Sequence, residues 1–252
     1  MKCNTLGFRD TPWIWYNTCV TRESKNILAF AAPFATWIGL QTVLPATAGL
    51  YALRSLATLA ALLFIYLPRA RAQGEAPAPT PSLPVRLGTG LLGGLLVFVL
   101  WVGPEYWIPA RLAAFYRTWC CWPLGSLPAA SSTPSPYEPA VCGWPLTLAK
   151  LAGSAFIIAP AEEIFFRSFL YRWLQQRDFR AVPRTRFDAS AFVWMTALFM
   201  LEHDRPLAAA AAAGVYGLVY LRCGLVAASV AHMLTNLLLA LYVIKFNLWN
   251  FW

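Results

Sequence analysis

The chain has 252 residues, 59% hydrophobic and 12% charged, with a formal net charge of +9. Soluble domains carry about 25% charged residues, so this composition excludes an ordinary water-solvated globule. The apolar residues fall into long runs with the basic excess beside them, which assigns the charge to a membrane surface and argues against a nucleic-acid partner.

A spanning helix needs about 20 mostly apolar residues. In chain order, residues 27–45, 49–68, 87–108, 145–174, 189–203, 206–221 and 224–244 approach that length. The expected fold is therefore all-α: a polytopic transmembrane helix bundle of about seven spans, the fifth and sixth of them short. Residues 1–26 read as a cytoplasmic N-terminal segment, 27–108 as a three-span part, 109–144 as an outer loop, 145–244 as a four-span catalytic part, and 245–252 as a C-terminal tail.

Met1–Asn26 lacks the apolar core of a cleavable signal peptide, so the first span is expected to serve as an uncleaved insertion signal. Lys2, Arg9, Arg22 and Lys25 flank that span; Arg69, Arg71 and Arg86 flank one later loop, and Arg172, Arg177, Arg180, Arg184 and Arg186 another. By the positive-inside rule all three regions face the cytoplasm and are expected to be solvated. Such a chain is expected as an integral protein of a bacterial inner (plasma) membrane, its N-terminus cytoplasmic and the lipid bilayer its first partner.

Gln73–Pro84 and Pro123–Pro139 are Pro-rich and polar, and read as flexible loops. Of six cysteines, Cys120, Cys121 and Cys142 share the long outer loop, where a disulfide can form if that compartment is oxidising; Cys3, Cys19 and Cys223 read as free thiols. The alanines of Leu207–Ala213 suit close helix approach. Arg54 and Lys150 sit where they can snorkel to the interface, Glu105 is expected to be solvated, and Trp101, Tyr106, Trp107, Trp249 and Trp252 fit an interfacial belt.

Ionisable groups inside a span cost at least about 2.5–3.5 kcal/mol each, which makes them functional candidates. One apolar segment holds Glu162, Glu163 and Arg167. Glu163 and Arg167 are four apart and can pair on one face. Glu162 lies about 100° round the helix, with Phe166 at its i+4 position, and is left free to act as a general base towards water.

The chain has two histidines, His203 and His232, both in later apolar segments. Phe199 lies four before His203, and Asn236 four after His232, so each pair shares a helix face. His232 and Asn236 present hydrogen-bonding groups suited to a developing oxyanion. His203 falls at the predicted end of its span whereas Glu162 lies inside its own; a kink at Pro160 could bring them to one depth. Glu202, Asp204 and Arg205 before Pro206 read as a polar turn; Glu202 could also orient the His203 ring.

These residues resemble the motifs of the CPBP family of intramembrane glutamic peptidases, the CAAX-protease and bacteriocin-processing proteins: Glu162-Glu163-x-x-x-Arg167, Phe199-x-x-x-His203 and His232-x-x-x-Asn236, in that order. The resemblance spans about residues 145–244; Leu96–Glu105 further resembles the branch found with exosortase sorting systems. It implies a glutamic-type peptidase, for which no cofactor is expected. Glu162, assisted by His203, would activate water; His232 and Asn236 would hold the oxyanion; Glu163 and Arg167 would support them. The implied substrate is a protein or peptide cut near a membrane anchor, as in release of the last three residues of a prenylated CAAX protein. Two other readings stay open: a zinc protease using His203, His232 and Glu162, and a non-enzymatic scaffold, immunity or transport protein using the same buried groups.

Overall fold

The computed structural model describes residues 12–72, 76–121 and 134–252. Among them every regular element is helical, as lipid requires, because a helix satisfies all its backbone groups internally. The longer ones, in chain order, are α1 (Pro12–Val43), α2 (Ala48–Ala72), α3 (Leu83–Val102), α4 (Ala110–Trp119), α5 (Trp144–Gln175), α6 (Ala189–Met200), α7 (Pro206–Cys223) and α8 (Leu225–Phe246). Among the described residues six of them, all but α4 and α6, are long and apolar enough to cross a membrane. The short fifth segment becomes α6, an apolar helix of 12 residues.

Local chemistry sets the boundaries. The Thr47 hydroxyl accepts from the Leu50 amide at the start of α2, and Asp188 Oδ1 accepts from the Ala191 amide at 2.9 Å at the start of α6. Gly224, at φ +85°, turns the chain between α7 and α8. Asn247, left-handed at φ 55°, ends α8 and sends the C-terminal residues back towards the bundle.

The bundle around α8 packs through small residues. A Cβ placed on Gly94 of α3 would lie 2.5 Å from the Ala231 carbonyl oxygen, and one on Gly90 2.7 Å from that of Ala227. Thr235 closes the contact by donating to the Gly94 carbonyl at 2.9 Å. Ala209, Ala212 and Ala213 of α7 are fully buried, as their run suggested. The register of His232 on α8 is thus set from α3.

Helix α5 departs from α geometry on both sides of the acidic pair. π-helical turns at Ser154–Ile158 and Ile164–Leu170 flank one α-helical stretch, Ala159–Glu163. Pro160 has no amide to donate, and the preceding turn widens, with the Ala159 amide bonded to the Ser154 carbonyl five residues back.

Several expectations need correction. Arg172, Arg180 and Arg184 are buried, not solvated. Arg172 donates to the carbonyls of Val182 (3.0 Å) and Arg180 (3.2 Å), and Arg184 to that of Leu221 (2.7 Å). Arg172 satisfies carbonyls of the segment between α5 and α6, and Arg184 one in the last turn of α7 that the helix leaves open. The described end of the Pro-rich linker is held by the same segment: the Ala76 amide donates to the Arg180 carbonyl, and Arg184 to that of Pro79. Cys120, Cys121 and Cys142 are free thiols, as is Cys223. Lys2, Arg9, Cys3 and the Cys19 side chain lie outside the described residues, as do residues 73–75 and 122–133 of the two Pro-rich stretches.

Candidate active site

One cavity of about 360 Å³ is lined by Glu162 from α5, Phe199 from α6, His203 from the α6–α7 turn, and His232 and Asn236 from α8. The sequence leaves the depths of His203 and Glu162 in tension; the structure puts both side chains on this one cavity. Glu163 and Arg167 stand behind it, fully buried, with Arg167 Nη1 3.1 Å from Glu163 Oε1. The i+4 spacing thus forms the pair it suggested.

His232 lies between the two carboxylates. Its Nδ1 is 2.9 Å from Glu163 Oε1, and its Nε2 is 3.7 Å from Glu162 Oε2. Nδ1 donates to the Glu163 carboxylate, which turns Nε2 towards Glu162. The ring is fixed from its face by Tyr216, stacked at 4.7 Å. Glu162 Oε2 is buried and hydrogen-bonded to no described residue, so its lone pairs are open to a water or a substrate.

His203 is oriented by its own helix. Its Nδ1 lies 2.8 Å from the Phe199 carbonyl and donates to it, so Nε2 is left as an acceptor. Phe199 also packs its ring on the imidazole at 4.5 Å, with the Arg167 guanidinium 4.5 Å from the same ring. Trp101, expected in the interfacial belt, instead meets His203 edge to face at 5.4 Å. Burial lowers the His203 pKa to about 4, so the ring is neutral near pH 7.

Asn236 Nδ2 donates to the Ser154 carbonyl at 3.1 Å. That carbonyl belongs to the π turn before Pro160. One amide hydrogen anchors the side chain and the second stays available.

The His203 turn is tied down on its far side. Arg205 pairs with Glu105, and its guanidinium lies 4.2 Å from the Phe251 ring. Glu105 is therefore paired, where sequence suggested solvation. Glu202 also lines the cavity, and burial, with a smaller contribution from the Glu162 charge, raises its carboxyl to about 10.

Among the described residues, no three His, Cys, Asp or Glu side chains are grouped closely enough to hold a metal. Sequence reasoning missed Tyr216, Trp101, Ser154 and Lys150 as cavity residues. Only Tyr216 left a signal, as the first aromatic residue in an otherwise small-residue helix.

Fold and site together define a helical integral membrane protein with a cavity of carboxylate and imidazole groups inside its bundle. Residues 144–238 match the family described as type II CAAX prenyl endopeptidase Rce1-like. The match runs from α5 into α8; the first four helices and the Leu96–Glu105 stretch lie outside it. No curated protein and no solved structure matched the chain significantly.

Proposed function

We propose that the protein is an intramembrane endopeptidase of the glutamic type, hydrolysing a peptide bond near the membrane anchor of a protein or peptide substrate. The observation that carries this reading is the shared cavity: a buried carboxylate with open lone pairs faces the imidazole of His232, itself oriented by the Glu163–Arg167 pair.

Glu162 takes a proton from water as the water oxygen attacks the scissile carbonyl carbon, and His203 Nε2 accepts the other water hydrogen bond. The second amide hydrogen of Asn236 holds the oxyanion. His232 joins it through Nε2–H, with the Glu163 carboxylate at Nδ1 balancing the ring while Glu162 holds the water proton. Glu162 then returns its proton to the leaving amine as the C–N bond breaks. The proposed setting is a bacterial inner membrane, with the arginine-rich segments cytoplasmic.

The test is a comparison of membrane-protein termini in cells carrying the parent or Glu162→Ala at equal levels. Termini that arise only with the parent support hydrolysis. An unchanged phenotype in the variant supports a scaffold instead, and chelator-sensitive cleavage by purified protein supports zinc.

A further inference from the structure

The cavity that holds Glu162 extends to one end of the bundle. Gln41 near the end of α1 and Asp204 in the α6–α7 turn line it there, and both are exposed. Phe251 and Trp252 line it as well. They come from the segment that follows α8, and the proposed chemistry uses neither. Asn247, left-handed, reverses the chain, and a single turn, Trp249–Phe251, carries these two aromatic residues back to the cavity.

Two cations from other parts of the bundle catch the segment. The Phe251 ring, 8% exposed, lies 4.2 Å from the guanidinium of Arg205, in the same turn as His203. The Trp252 ring lies 5.3 Å from Lys150 Nζ on α5, an ammonium that also faces the Tyr51 ring at 4.2 Å. Rings and cations attract within about 6 Å, and Glu105 holds Arg205 in place for its ring.

The backbone of the segment is bonded only locally. The Leu248 amide donates to the Val243 carbonyl at 3.1 Å, and the Trp252 amide to the Trp249 carbonyl at 3.2 Å. Among the described residues no backbone hydrogen bond joins 247–252 to α1, α2, α5 or α7. A short segment held by side chains alone opens locally at far smaller cost than the bundle unfolds. Closed, its rings narrow the way from the exposed rim to the open lone pairs of Glu162.

We infer that residues 247–252 are a lid on the cavity, closed in this structure, latched by Trp252 on Lys150 and by Phe251 on Arg205, and that a ligand enters once the lid lifts. The inference concerns access and not the reaction inside, so it goes beyond the hydrolase reading and stands or falls separately from it.

The test is the rate at which a neutral, water-soluble maleimide labels a cysteine placed at a cavity position, Ser154→Cys, in the full chain in nanodiscs. Mass spectrometry reads residue 154 apart from the native cysteines. Adding Trp252→Leu should speed labelling about tenfold or more, because the latch on Lys150 is gone. Trp252→Phe, which keeps a ring for the ammonium, should leave it slow. Equal rates with Trp252 and with Trp252→Leu overturn the inference, and so does an equal gain at buried Cys223, since that reports loosening of the whole bundle and not of a lid. Cleavage is scored separately, without the reporter: Trp252→Leu should raise kcat/KM about threefold or more where lid opening limits entry. A fall in kcat/KM makes Trp252 a fixed wall of the substrate site and overturns the lid. A parent that cleaves nothing, with labelling still accelerated by Trp252→Leu, sinks the hydrolase reading and supports the lid.

Discussion

Glu163 Oε1 is shared by two partners, Arg167 Nη1 at 3.1 Å on its own helix and His232 Nδ1 at 2.9 Å on α8. This one oxygen couples the ion pair inside α5 to the orientation of an imidazole across the cavity, so the supporting pair acts on the site through His232.

Removing the cation should therefore damage both stability and rate. Arg167→Met breaks a fully buried ion pair and leaves the Glu163 carboxylate with the His232 ring alone, and breaking such a pair costs about 3–5 kcal/mol. The expected outcome is a marked fall in thermal unfolding temperature in detergent together with lost cleavage. Arg167→Lys should rescue stability only in part, since a point ammonium does not reproduce the planar guanidinium between Glu163 and Phe199.

The α3–α8 contact gives a second prediction. Gly94→Ala puts a methyl group 2.5 Å from a backbone oxygen of α8. Overpacking of this kind costs about 1–3 kcal/mol, and the displaced helix carries His232 and Asn236. Gly88→Ala, on the same helix with nothing within 4 Å of the new Cβ, should be neutral or slightly stabilising. Unfolding temperature and turnover of the two variants check this directly.

Titration of His203 gives a third. Burial lowers its pKa from 6.5 to about 4, so the folded state disfavours the protonated ring. The stability that His203 contributes is complete above pH 6.5 and is lost as pH falls towards 4. Glu202, raised to about 10, titrates in the opposite sense. The readout is therefore the parent-minus-variant difference in unfolding temperature, with His203→Gln as the variant: its acid-side loss should be the smaller of the two. No inflection in rate near pH 6.5 is expected from His203.

The Asn236 anchor gives a fourth. Asn236→Ala removes the hydrogen bond to Ser154 and the proposed oxyanion donor, and loss of one such donor costs about 10²–10³ in kcat. KM should change little. A loss confined to KM would assign Asn236 to substrate binding.

The helical bundle was legible because lipid forces long apolar segments into helices, and the i+4 spacings of Glu163–Arg167 and Phe199–His203 are local. Both pairs form, and the second turned out to use the Phe199 carbonyl as well as its ring. What sequence could not carry was rotation and depth between helices. Trp101, Trp252, Arg54 and Lys150 each fit an interfacial or snorkelling role by position, yet Trp101, Trp252 and Lys150 line the cavity and Arg54 is buried against the Trp37 and Tyr51 rings. Arg172 and Arg184 likewise read as surface charge, because the carbonyls they satisfy lie in the segment between α5 and α6 and in the last turn of α7, contacts that no periodicity reveals.

The central claim is that Glu162 activates water opposite His232, and its most direct test is turnover of a defined membrane-anchored peptide by purified protein in proteoliposomes containing chelator. The account predicts that the parent cleaves, and that Glu162→Gln loses about 10²–10⁴ in kcat with its unfolding temperature retained. Parent-level cleavage by Glu162→Gln, or a parent silenced by the chelator, would contradict it.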